Sequence, residues 1–101
     1  MSKIRIRVPR KKIAEFCKRW KVVEFSLFGS ILREDFNPDS DVDVLVTFTP
    51  DAQVSLFDMV QMQLELKAIF ARDVDLVEKA SLYNPYRRRE ILQTAKRVYA
   101  P

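Results

Sequence analysis

Histidine is missing from this chain. Its absence excludes a Ser-His-Asp triad and an imidazole general base, and it leaves little scope for a zinc site. Any catalysis must rest on carboxylates, Lys or Arg, hydroxyls and bound metal. Cysteine occurs once, as Cys17, so no internal disulfide can form. Its place in an apolar helical pattern makes it a core residue. Glycine also occurs once, at Gly29, beside five prolines, which excludes low-complexity and collagen-like chains. No apolar run approaches the roughly 20 residues that span a bilayer. The basic N-terminus MSKIRIRVPRKK leads into no apolar signal-peptide core. The expectation is one cytoplasmic domain over residues 1–101, in which 48% apolar residues suffice for one core.

The net charge of +4 is unevenly spread. Residues 1–21 hold nine Lys/Arg and one acid, residues 22–83 four and twelve, residues 84–101 five and one. An acidic middle therefore lies between two basic ends. Such ends either meet phosphate, nucleic acid or an acidic partner, or form a solvated surface. Nucleic-acid binding through the N-terminus would be strongly salt-dependent.

Alternation in KIRIRV suggests a short strand or extended arm. Pro9 can open a helix, and Ile13, Phe16, Cys17 and Trp20 continue it at helical spacing over about residues 10–20. VVEFSLF (22–28) reads as a core strand ended by Gly29. A turn and loop cover 30–39, and DVDVLVTF (41–48) is a second strand. Ser55 with Asp58 forms a capping-box pattern that opens a helix to about Phe70. DVDLV (73–77) is a third strand. Asn84 and Pro85 start a last helix to about Ala95, and RVY reads as a final short strand.

The helix at 56–70 carries two apolar stripes. Phe57, Val60, Leu64 and Ala68 form one; Met59, Met62, Leu66, Ile69 and Phe70 form a second. One stripe suffices for packing on a sheet. The second, methionine-bearing stripe either contacts the N-terminal helix or serves as a partner surface, for which flexible methionines are suited.

The unusual feature is a pair of acids in an apolar strand. Residues i and i+2 of a strand share a face, so Asp41 and Asp43 project together, their Cα atoms roughly 6.5–7 Å apart. Val42, Val44 and Val46 face the other way. Adjacent carboxylates repel, and a divalent cation between them is the economical remedy; hard oxygen ligands suit Mg²⁺. Asp75, between Val74 and Leu76, joins the same acidic face if its strand pairs with 41–48. Three carboxylates can hold two ions about 3.5–4 Å apart, the arrangement for in-line phosphoryl displacement. Asp73 reads as a rim residue.

Gly29 and Ser30 supply a complementary half. A glycine after a strand lets backbone N–H groups approach an anion, and a following helical turn favours phosphate. The Ser30 hydroxyl can donate to a phosphate oxygen, and Arg33 can add a cation. Ser40 either donates to a phosphate or braces its loop.

FGSILREDFNPDSDVDVLVTF (28–48) resembles the signature of the minimal nucleotidyltransferases, small members of the DNA polymerase β-like superfamily. The likeness extends through IAEFCKRW, DVDLVEKASL and NPYRRREILQTAKRVY. It implies an α/β nucleotidyltransferase fold, a mixed sheet with helices packed against it. It also implies ATP-dependent nucleotidyl transfer with two Mg²⁺ ions. On that resemblance Gly29 and Ser30 hold the triphosphate, Asp41 and Asp43 bind both metals, and Asp75 binds one metal and activates the acceptor hydroxyl. The chain departs from the common pattern at Glu34 and at ARDVDL, which put bulk or negative charge at the site rim. Such proteins often act as antitoxins that add AMP to a tyrosine of a HEPN ribonuclease toxin. The resemblance thus implies a HEPN-type partner, with a binding-only antitoxin as the alternative.

Overall fold

The computed structural model describes residues 6–100. In chain order it contains α1 (Arg10–Trp20), β1 (Val22–Phe28), β2 (Val42–Phe48), α2 (Leu56–Phe70), β3 (Val74–Glu78), α3 (Pro85–Thr94) and β4 (Lys96–Tyr99). Single 3-10 turns follow β1 at Gly29–Leu32 and β3 at Lys79–Ser81. Residues 3–5 of the expected N-terminal arm lie outside the described residues. Residues 6–9 are not a strand, although Ile6 and Val8 pack on the core. Among the described residues no helix is long and apolar enough to cross a membrane.

The four strands form one mixed sheet in the order β3-β2-β1-β4. β1 runs antiparallel to both β2 and β4, whereas β2 and β3 are parallel. A parallel pair cannot be joined by a tight turn, so α2 serves as the crossover. Its start is fixed as the sequence predicts. Asp58 N–H donates to the Ser55 hydroxyl (3.1 Å), and Ser55 N–H donates to the Asp58 carboxylate (3.0 Å). Asn84 caps α3 by accepting from Tyr86 and Arg87 N–H groups, with Pro85 at the first helical position. α1 and α2 end on Lys21 (φ 60°) and Ala71 (φ 55°), both left-handed without being glycine.

The strand period divides the molecule. Val42, Val44 and Val46 face α1 and α2 and meet Ile13, Phe16, Cys17, Phe25, Leu27, Met62 and Leu66 in the main core. Phe16 and Phe25 pack edge to face, ring centroids 6.1 Å apart. Burial pushes the Cys17 thiol up to about 12, so it stays protonated as a small apolar group. Among the described residues the opposite face is covered by a small cluster in which Phe28, Leu45, Leu82 and Ile91 meet under α3. The remainder of that face, where Asp43 emerges from β2, stays open.

The methionine-bearing stripe of α2 packs into the core beside α1, the first of its two expected roles, and the other stripe is the exposed one. Met62, Leu66 and Phe70 are buried, so the methionine stripe is the packed one and is not a free surface. Phe57 (88% exposed), Val60 (60%) and Leu64 (58%) face solvent. The polar residue between the stripes goes with this choice. Glu65 accepts from the Arg19 guanidinium and, at 3.2 Å, from the Trp20 indole, which turns α2 against the end of α1. Leu66→Ala is therefore expected to cost about 2–5 kcal/mol. Leu64→Ala should stay within about 0.5 kcal/mol. Chemical denaturation of the two variants checks the assignment.

Candidate active site

Two strand pairings assemble the acidic cluster. In the antiparallel pair, Asp43 lies opposite Phe28, the last residue before Gly29. In the parallel pair, Asp43 lies beside Asp75, about 4.8 Å away as neighbouring strands require. Asp43 thus stands between the Gly29–Ser30 turn and Asp75. Asp41, just before β2, shares an open cleft of about 420 Å³ with Asp73, Asp75, Gln63, Leu64, Lys67 and Val74. The structure therefore brings Gly29, Ser30, Asp41, Asp43 and Asp75 together at one end of the sheet.

Gly29 is required there twice over. Its φ is +72°, a conformation that favours glycine. A Cβ on this residue would collide with Asp43 Oδ2 and stand 3.1 Å from Asp43 Cγ. The Ser30 N–H also faces the Asp43 carboxylate and favours its charged form. The Ser30 hydroxyl donates to the Asp41 carbonyl oxygen (3.3 Å). Both groups expected to meet phosphate thus already hold the aspartates in place.

The flanking residues have more defined roles than the sequence offered. Ser40 braces its loop: Asn37 N–H donates to its hydroxyl oxygen at 3.1 Å, which leaves the Ser40 proton free to donate. Arg33 is exposed and pairs with Asp35 at 3.4 Å, yet its charge is felt at Asp43. Asp73 is a rim residue, paired with Lys67 at 3.0 Å. Arg72, which sequence reasoning treated only as bulk at the rim, organises the loop. Its guanidinium donates to the carbonyls of Asn37 (3.0 Å), Pro38 (3.3 Å) and Ser40 (3.2 Å), and lies 4.6 Å over the Phe36 ring. It fixes the segment that delivers Asp41. The available signal was Phe36 itself, an aromatic in an otherwise polar loop that needs a cover.

Electrostatics at the cluster are those of an unneutralised acid. Burial pushes the Asp43 pKa up, Asp75 adds to that and Asp41 contributes further, against the Ser30 N–H and Arg33. Among the described residues, no three acidic or cysteine side chains already stand as a complete ion cage. Mg²⁺ is commonly held by one or two carboxylates together with substrate phosphates and water. The donor set of hard oxygens around a carboxylate with excess negative neighbours fits such an ion.

A glycine turn joined to Asp43 and Asp75 on neighbouring strands, with Asp41 just before β2, has the parts that metal-assisted phosphoryl transfer requires. Comparison with known proteins gives it a family. The nucleotidyltransferase domain model matches residues 10–98, and the chain belongs to that family. It is 40% identical to the protein adenylyltransferase MntA of Thermococcus cleftensis over 68 residues, 67% of each chain. Among solved structures, one assigned as a minimal nucleotidyltransferase superposes with a TM-score of 0.70 at 31% identity, covering 86% of both chains. Two toxin–antitoxin complexes share the fold at 20% identity. One contains AMP-PNP (TM-score 0.74, covering 93% of this chain and 75% of the other). The other pairs an MNT antitoxin with a tri-AMPylated HEPN toxin of Shewanella oneidensis (TM-score 0.66, 91% and 70%).

The elevated Asp43 pKa has a consequence for stability. The folded state holds the Asp43 proton more tightly than the unfolded chain does. This stabilisation is full below the ordinary carboxylate range and is lost as pH rises through the folded value. At neutral pH the ionised side chain therefore weakens the fold. Asp43→Asn, which keeps an acceptor for the Ser30 N–H, is expected to raise the melting temperature by a few degrees in metal-free buffer. The gain should shrink on acidification. Gly29→Ala is expected to lower it, by about 1–3 kcal/mol of stability. Thermal scans of both variants with chelator test the pair.

Proposed function

We propose that this chain is a magnesium-dependent protein adenylyltransferase of the cytoplasm, one domain over residues 1–101. It moves AMP from ATP to a hydroxyl, in the first instance a tyrosine, of a HEPN-type toxin and so neutralises it. The observation that carries this reading is the position of Asp43, flanked by the Gly29–Ser30 turn on one side and Asp75 on the other. Family membership and the naming of the Thermococcus relative support adenylyl transfer. The shared fold with complexes that hold AMP-PNP and an AMPylated HEPN toxin supports ATP and the partner.

In this reading Asp41 and Asp43 hold two Mg²⁺ ions and Asp75 helps to hold one. When bound, the ions lower the pKa of the acceptor hydroxyl and neutralise the charge that develops on the leaving group. Gly29, Ser30 and Arg33 receive the triphosphate, and Ser40 retains a proton to donate to it. The acceptor oxygen forms a bond to the α-phosphorus. The bond from that phosphorus to the bridging oxygen of the β-phosphate breaks, and pyrophosphate leaves. Asp75, on the outermost strand, receives the acceptor proton.

ATP labelled at the α-phosphate, mixed with this chain and a HEPN protein encoded beside its gene, tests the proposal. Label is expected to pass to a tyrosine of the partner. Asp41→Ala and Asp43→Ala should each lower the transfer by about 10³-fold, and chelation should abolish it. Full neutralisation of the toxin by both variants would instead establish a binding-only antitoxin.

A further inference from the structure

A protein adenylyltransferase must position its acceptor, and one edge of the sheet has the geometry for it. Among the described residues β3 is an outer strand, paired only with β2. The Val42 N–H donates to the Asp73 carbonyl at 2.9 Å. By the alternation of a parallel ladder, the N–H and C=O groups of Val74 and Leu76 therefore point away from the sheet. At Glu78 the outward carbonyl is capped by the Ser81 hydroxyl (2.8 Å), so the free edge is confined to the stretch around Asp75.

The side chains along this edge alternate in character. Asp75 faces the acidic cluster beside Asp43. Leu76 faces the other way and lines an apolar groove of about 430 Å³ with Leu56, Met59, Val60 and Leu64. Leu64 also borders the cleft of Asp41 and Asp75, so groove and acidic cleft are continuous. An added strand would send every second side chain to each face. A residue opposite Asp75 would present its side chain to the carboxylates, while its two neighbours enter the groove. The Gly29–Ser30 turn lies on the far side of Asp43, so the two substrates do not compete for space.

We propose that the β3 edge and the adjoining α2 groove dock an extended segment of the acceptor protein, a hydroxyl residue between two apolar residues. Backbone pairing supplies affinity and the groove supplies selectivity, as in other strand-addition complexes. This inference rests on the adenylyl-transfer reading for its choice of hydroxyl.

The test is a displayed library of short peptides with one central tyrosine and randomised flanks, selected on the full chain. Enrichment of apolar residues on both sides of the tyrosine is expected. Enriched peptides should slow amide exchange at Val74 and Leu76. N-methylation should weaken binding about tenfold at one alternate set of peptide positions and leave the other set unaffected. Val60→Glu and Leu64→Glu, both at exposed positions, should weaken binding about tenfold with the melting temperature unchanged. Absence of enrichment, enrichment at helical spacing, or binding indifferent to N-methylation overturns the docking site. Label passing to the tyrosine without protection of β3 also overturns it and leaves the transferase reading intact. Binding as described, without transfer of label from ATP, upholds the docking site and defeats the transferase reading instead.

Discussion

The contact between the backbone of Gly29 and the carboxylate of Asp43 is the constraint on which the site depends. It holds only because residue 29 has no Cβ and adopts a positive φ. It joins the end of β1 to the start of β2, so the turn cannot shift without the acid. The Ser30 N–H then offsets part of the burial that disfavours the charged form of Asp43. A single small residue thus sets the distance between the groups that would meet phosphate and those that would meet metal.

The chain uses its one glycine there and nowhere else. The C-terminal ends of α1 and α2 need the same left-handed backbone, yet they use Lys21 and Ala71. At those positions the side chain is merely strained, by roughly 1–2 kcal/mol. At residue 29 it would strike another side chain. The distribution follows the difference between backbone strain alone and backbone strain joined to a clash that would displace the Asp43 carboxylate. It also shows stability being spent at helix ends and at Asp43, while the valine face of the sheet and the helices above it supply the compensating burial.

Much of this was legible in the sequence because local patterns carried it. The apolar neighbours of Asp43 and Asp75 identified their strands, whereas the strand expected to begin at Asp41 begins at Val42, so Asp41 sits in the loop just before it. The capping pattern at Ser55 and the Asn-Pro start of α3 located both helices to within a residue. What was illegible depended on contacts far along the chain. Arg72 meets carbonyls more than thirty residues away, and nothing beside an arginine in sequence states which carbonyls it will meet. Both stripes of α2 are periodic and apolar, and which one turns inward goes with contacts distant in sequence, the core residues of α1 and the pairing of Glu65 with Arg19 and Trp20. Ser40 was undecidable for a simpler reason, since one hydroxyl can accept from its loop and donate elsewhere.

The parallel pairing of β2 with β3 also orders events in time. The β1–β2 hairpin is local, so Gly29, Ser30 and Asp43 can meet as soon as residues 22–48 exist. Asp75 arrives only after the α2 crossover has closed, a non-local step that is intrinsically slower. A chain emerging from the ribosome therefore completes its third carboxylate near the end of folding, and a truncated or stalled product carries an unfinished acidic cluster.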